Sequence, residues 1–195
     1  GIYEGTFPVR MYDFMKENKI TEAGHHPFQT FEYGGYFIWN FPESKNFIDS
    51  RNLNDSIWDE FKSIVNMKGD YIELIKKDSI DFFMITRPTL TMGPEELRST
   101  IISYLSNNSD QWKLVYWDDI SLLFVKNNER FRNVINSYEF RYLTPYNIIF
   151  NVNILNNALN QNPEAVKSEF NRKRAEGTGT IFMNQFLKVF SQRLK

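Results

Sequence analysis

Asp81-Phe82-Phe83-Met84-Ile85-Thr86 places consecutive apolar side chains between two polar ends. Successive residues of a strand point to opposite faces, so a run without polar alternates must be covered on both sides, as strands of α/β sheets are. Upstream, Pro27-Phe28-Gln29-Thr30-Phe31 and Asn46-Phe47-Ile48-Asp49 read as two further strands. Helical patterns separate them. Met11, Phe14 and Met15 give an apolar face to Pro8 through Asn18, and an aromatic-rich segment from Tyr36 to Phe41 follows the sharp turn Glu32-Tyr33-Gly34-Gly35. Ile57, Trp58, Phe61, Ile64 and Val65 form a stripe at helical spacing, with Ser56 and Asp59 at capping-box spacing, and Tyr71 to Lys77 reads as a short helix. This alternation predicts an α/β fold, a three-layer-like sheet of mainly parallel strands in which 28–31, 47–49 and 82–86 are mutually parallel.

Beyond the buried strand, Gly93-Pro94-Glu95-Glu96 is a helix start, with proline at the first helical position and carboxylates near the positive end of the dipole. Leu97, Ile101, Ile102 and Leu105 are its expected buried face. Trp112 to Trp117 and Ile120 to Lys126, joined around Asp118-Asp119, read as an antiparallel hairpin closing one sheet edge. From about Tyr138 the pattern is helical only, with a start signal at Asn162-Pro163-Glu164 and a stripe of Phe182, Phe186, Val189, Phe190 and Leu194. The expected organisation is an α/β domain over 1–137 and an all-helical tail over 138–195. That tail is either a tetratricopeptide-like helical pair or a plain extension.

The 195 residues carry 23 basic and 24 acidic side chains, a net charge of -1, so no overall field favours a nucleic-acid backbone. The one basic cluster, Asn171-Arg172-Lys173-Arg174, reads as a solvated helix face. Without cysteine there is no disulfide, thiolate metal site or thiol nucleophile. No apolar run reaches the roughly 18 residues of a membrane helix. Gly1 in place of an initiator Met reads as the residue left when a tag is cleaved, so the chain is expected to be excerpted from a longer protein.

Ligands of open α/β sheets collect beyond the carboxyl ends of parallel strands. The expected exits there are Glu32, Tyr33, Gly34 and Gly35 from the first strand, Asp49 and Arg51 from the second, and Arg87 from the third. Arginine offers a planar fork for carboxylate or phosphate, and the glycine pair would let backbone N–H groups approach a ligand closely at a helix start. Two readings stay open: a binding edge, or a salt bridge between Asp49 and Arg51 that pins loops, with glycines serving a turn of positive φ. Dinucleotide and phosphate-loop patterns are absent, and so are serine-hydrolase and zinc-protease motifs. The adjacent His25 and His26 read as exposed loop residues, and neither a cofactor nor a metal is expected.

Phe7-Pro8, Gly24, Tyr33-Gly34-Gly35-Tyr36-Phe37-Ile38-Trp39, Pro42 and Phe47-Ile48-Asp49-Ser50-Arg51 occur in that order. This series resembles the segment that follows the last membrane helix in bacterial GT-C-type, mannosyltransferase-like membrane proteins. Trp112-Lys113-Leu114-Val115-Tyr116-Trp117-Asp118 resembles the strand before that family's final hairpin, so the likeness spans roughly residues 5 to 130. Thr30-Phe31-Glu32-Tyr33-Gly34 is also distantly similar to the Trp-Trp-Asp-Tyr-Gly motif of the oligosaccharyltransferase catalytic subunit, keeping the acid, the tyrosine and the glycine but neither tryptophan.

The resemblance implies an extracytoplasmic accessory domain, on the periplasmic or cell-surface side, of a polytopic glycosyltransferase that uses a lipid-linked sugar. Its partners are then the membrane-embedded part of the same protein and a glycan or lipid-linked sugar. The resemblance places both the catalytic acid and the lipid-phosphate-sugar site mainly in that membrane part and assigns no catalytic residue here. The alternatives are a structural or protein-interaction module, or an independent α/β enzyme acting on a phosphorylated or carboxylated small molecule.

Overall fold

Phe83 and Ile85 enter one hydrophobic cluster and Phe82 and Met84 another, so the central strand is buried on both faces as its composition demands. The computed structural model describes residues 6–51, 54–87, 93–177, 187–188 and 190–192. Four strands, β1 (Pro27–Gln29), β2 (Phe82–Thr86), β3 (Trp112–Trp117) and β4 (Ser121–Lys126), form one sheet in the order β1-β2-β4-β3. The helices are α1 (Val9–Glu17), α2 (Ile20–Ala23), α3 (Gly34–Asn40), α4 (Asp55–Val65), α5 (Tyr71–Lys77), α6 (Pro94–Arg98), α7 (Ile101–Asn107), α8 (Arg132–Tyr138), α9 (Pro145–Phe150), α10 (Val152–Gln161) and α11 (Pro163–Ala175).

The sheet is mixed, which corrects the expectation of mainly parallel strands. Only β1 and β2 pair in parallel; β2–β4 and β3–β4 are antiparallel. β3 does run in the same direction as β2, as strand–helix alternation suggests, but the hairpin folds β4 back into the slot between them. A bulge at Val115, between Leu114 and Tyr116, brings Trp117 back to the face of Leu114.

The segment 47–49 is not a strand, a second correction, and the cause lies in one side chain. Gln29 of β1 is fully buried, and its Nε2 donates to the Ile48 carbonyl at 2.6 Å while its Oε1 accepts from Phe47 N at 3.4 Å. A side-chain amide thus takes the pairing groups that a strand would offer to backbone. Phe47 and Ile48 still pack into the core, Phe47 with its ring 4.7 Å from that of Phe28. Apolar content alone could not separate this from a strand.

Met11, Tyr12 and Met15 of α1, Phe37 of α3 and Val134 and Ile135 of α8 cover one face of the sheet. Phe61 and Ile64 of α4, Ile101 and Leu105 of α7 and the tail residues Leu155, Val166 and Phe170 cover the other. Asn54 caps α4, its side chain accepting from Ser56 N at 2.9 Å, so Ser56 lies inside the helix rather than at its cap. The apolar stripe from Leu97 to Leu105 is buried, but the helix breaks at Ser99-Thr100, where both hydroxyls bond carbonyls of the preceding turn. Of the tail stripe, Phe190 is buried in the core, while Phe182, Phe186, Val189 and Leu194 lie outside the described residues.

The basic cluster is only in part a solvated face: Asn171 and Arg174 are exposed, Arg172 is half-buried and Lys173 is buried. Val166, Glu169, Phe170 and Lys173 are the buried positions of α11, a helical stripe with two charged members. The Glu169 carboxylate accepts from the backbone of Arg141, Tyr142 and Leu143 at 2.8, 3.1 and 2.8 Å. Lys173, fully buried, donates to the Trp117 carbonyl and to Glu176, with its Nζ 4.5 Å from the centre of the Trp117 ring. Arg172 donates to the carbonyls of Tyr138 and Glu139. The tail helix is therefore fastened by charged side chains that each meet a partner, since an unpaired buried charge is prohibitive. Burial pushes the Lys173 ammonium down and the Glu169 carboxyl up.

Candidate functional site

β1 and β2 end at the same edge of the sheet, and the β3–β4 turn arrives there from the other side. The chain leaving β1 passes through a 3₁₀ turn, Phe31–Tyr33, directly into α3. Tyr33 turns inward from it. Its buried phenol donates to the Ile120 carbonyl at 2.8 Å, and its own carbonyl accepts from Tyr12 Oη at 3.3 Å. Burial pushes the Tyr33 phenol well above its ordinary value. Arg87, leaving β2, is held at the same turn: its N–H also donates to the Ile120 carbonyl, and its Nε donates to the Asp119 carbonyl at 2.6 Å. These two predicted site residues brace the hairpin end.

The turn has its own order. Asp118 Oδ1 accepts from the backbone of Ile120 and Ser121 and from the Ser121 hydroxyl, and Oδ2 accepts from Tyr116 Oη at 2.9 Å. A carboxylate that holds four donors of its own turn and strand in this way acts as a turn-former. The sequence reading recognised the turn but not the anchoring of Lys173 beside it. The signal was the i, i+3, i+4, i+7 phase of Val166, Glu169, Phe170 and Lys173, overlooked because two members are charged.

Gly34, Asp49 and Arg51 come together as a second group. A Cβ on Gly34 would stand 2.2 Å from the Ile48 carbonyl oxygen and 2.9 Å from Asp49 Cβ, so the helix start touches the 48–49 backbone. Close approach requires this glycine; its φ of -57° does not. Gly35 is exposed with nothing near its Cβ position. Glu32 is exposed one residue before Tyr33.

Asp49 sits at the end of a relay of side chains. Gln29 Nε2 donates to Asn46 Oδ1 at 2.5 Å, Asn46 Nδ2 donates to Asp49 Oδ2 at 2.8 Å, and Asp49 Oδ1 accepts from both N and Nε of Arg51 at 2.8 and 3.0 Å. The hydrogen bond from Arg51 holds the Asp49 carboxyl below the ordinary carboxylate range. Arg51 itself keeps 67% of its side chain exposed while Asp49 keeps 9%. The salt bridge raised as one of the two readings, Asp49 with Arg51, is thus present. α3 also carries Trp39, 70% exposed, with its ring centre 5.8 Å from that of Tyr36.

The predicted residues thus separate into those committed to the fold, Tyr33, Gly34, Asp49 and Arg87, and those that face solvent, Glu32, Gly35 and Arg51. Among the described residues no cluster of three metal-ligating side chains occurs, and no helix is long and apolar enough to cross a membrane. Comparison with family models, with curated proteins and with solved structures gives no match to this chain.

Proposed function

We propose that this chain is an accessory extracytoplasmic domain of a multi-spanning GT-C-type membrane glycosyltransferase, supplying acceptor or glycan contacts to an active site completed by the membrane part. The observation that carries this reading is the contact of Gly34 with Ile48 and Asp49. The aromatic-Gly-Gly stretch and the Phe-Ile-Asp-Ser-Arg stretch, which carry the family resemblance, make one surface unit through it. Glu32, Gly35 and Arg51 are the exposed groups of that unit. No residue of the chain is assigned a catalytic role, and the domain alone transfers no sugar.

The first test is the gene: the reading requires several apolar spans of about 20 residues encoded before residue 2. The second replaces Glu32 and Arg51 in the full-length parent, where transfer from the lipid-linked donor should fall while the variant domains melt normally. Full activity in the double variant removes the reading.

A second reading is favoured by Trp39. A tryptophan 70% exposed beside Tyr36 is a group suited to docking on another surface. In that reading the domain is a structural or interaction module seated on the membrane portion of the same protein. Loss of membrane-part association in Trp39→Ala, with Glu32 and Arg51 variants fully active, would favour it over the first.

A further inference from the structure

We infer that the cavity on the outer edge of β3 binds a short extended peptide, one residue of which pairs with the backbone on either side of Lys113. This inference is independent of the proposed function, since none of Glu32, Gly35 and Arg51 lines that cavity.

β3 is an edge strand, and its register fixes which backbone groups face outward. Lys126 of β4 donates its N–H to the Asp81 carbonyl on the β2 side, so its neighbour Val125 turns toward β3, where Lys113 is its partner. Trp112 and Leu114, flanking Lys113, therefore turn outward. Part of that edge is occupied: Trp112 N–H donates to the Asn108 carbonyl at 2.9 Å, and the Leu114 carbonyl accepts from Phe140 N at 2.8 Å. The Trp112 carbonyl and the Leu114 N–H lie between those two bonds, and nothing among the described residues pairs with them. A carbonyl and an N–H on either side of one residue are what a single residue of a parallel neighbour engages with its own N–H and C=O.

The chain that would cover this edge is drawn away from it. After Phe140 the amides of Arg141, Tyr142 and Leu143 turn to Glu169 of α11, and the carbonyls of Arg141 and Tyr142 turn to Asn147 of α9. A cavity of about 390 Å³ is left between this segment, β3 and α7, a size that suits a small ligand. Its wall is held by bonds the fold already makes, so a ligand finds it preformed. Leu105, Leu114 and Phe124, all buried, give it an apolar floor on the sheet face of Trp112, whose enclosed indole N–H has no partner among the described residues. Lys113, on the opposite face of the strand, pairs with Glu139 at 2.8 Å. A peptide residue opposite Lys113 thus turns its own side chain toward that ion pair and the two flanking side chains over the apolar floor. The occupant is a short peptide with apolar residues on both sides of a small one.

The test titrates the isotopically labelled chain with acetyl-Leu-Gly-Leu-amide while the backbone amides of 112–114 and the Trp112 indole N–H are followed by NMR. The expected result is a saturable shift centred on the Leu114 N–H as it gains an acceptor. Acetyl-Leu-sarcosine-Leu-amide, with a methyl group in place of the central amide hydrogen, cannot donate to the Trp112 carbonyl and should bind about tenfold more weakly. Acetyl-Gly-Leu-Gly-amide, which puts its apolar group on the wrong face, should be several-fold weaker. Ser106→Phe fills the cavity from α7 and should abolish the shifts with the remaining spectrum unchanged. If that variant does not fold, the peptide series still decides, because it leaves the protein untouched. Absence of a saturable shift, shifts centred away from β3, or binding retained in folded Ser106→Phe overturns the site. Equal binding of the sarcosine peptide overturns the backbone pairing, and equal binding of the Gly-Leu-Gly peptide overturns the register.

Discussion

The phenol of Tyr33 and the backbone N–H of Arg87 donate to one acceptor, the carbonyl oxygen of Ile120, each at 2.8 Å. Residues leaving two parallel strands thereby hold the turn of the hairpin that completes the sheet. In Tyr33→Phe the Ile120 carbonyl keeps the Arg87 donor, so no buried acceptor is orphaned. The expected cost is about 0.5 to 1.5 kcal/mol, the net value of one hydrogen bond, read from chemical denaturation. A loss of several kcal/mol would mean the hydroxyl supports more than this carbonyl.

Gly34 and Gly35 should behave oppositely despite being neighbours. Alanine at 34 drives a methyl group to within 2.2 Å of the Ile48 carbonyl, a backbone atom that cannot swing away. Overpacking of this kind costs about 3 kcal/mol, a fall of roughly 6 to 12 °C in melting temperature for a chain of this size. Alanine at 35 meets nothing within 4 Å and should be neutral or stabilising by about 0.5 kcal/mol, since it removes glycine from a helix. Equal melting temperatures for the two variants would contradict the close approach.

The strand of 82–86, the hairpin, the helices α1, α4 and α5 and the helical character of the tail were readable from periodicity and turn residues, because each signal is local. The pairing of β4 with β2 was not, since alternation fixes which segments are strands but not which slot a hairpin fills. The segment 47–49 was misread because Phe47 and Ile48 are apolar for the core they join, while the groups that decide strand pairing belong to Gln29. At the candidate site, Asp49 and Arg51 were singled out as exits of a strand that does not form. Their pairing, and the commitment of Tyr33 and Arg87 to Ile120, depend on contacts distant in sequence.

Lys173 tests how the tail is held. Lys173→Met keeps the length and the packing against Trp117 but removes the donor to the Trp117 carbonyl. Glu176, partly exposed, can return to water. The orphaned carbonyl sets an expected loss of about 1 to 3 kcal/mol. Because burial depresses the ammonium in the folded state, the native protein binds fewer protons at Lys173 than the unfolded chain at alkaline pH. Stability from this group therefore rises with pH from the folded value up to about 10.4, the unfolded lysine value, and the slope should vanish in Lys173→Met. An identical pH slope in both proteins would show that Lys173 is not the titrating group.

Trp39 is the simplest surface test. Its 70% exposure means that Trp39→Ala should change stability by no more than about 0.5 kcal/mol. A larger loss would show that its contact with Tyr36 is part of the core rather than a surface contact.

The acid limb of stability should carry the signature of Asp49. Its carboxyl is depressed in the folded protein, first by the hydrogen bond from Arg51, so the folded state binds fewer protons there than the unfolded chain. The resulting stabilisation is fully present above the unfolded carboxylate value of about 3.9 and is lost as pH falls through the lower folded value. Asp49→Asn preserves shape and an acceptor oxygen but cannot titrate. The difference in melting temperature between the native chain and this variant should be largest near neutrality and shrink as pH drops below about 3.9. Arg51→Ala should reduce the same pH-dependent difference, because its hydrogen bond is the leading cause of the depression. A difference that stays constant down to the acid transition would show that Asp49 and Arg51 do not form a charge-assisted pair.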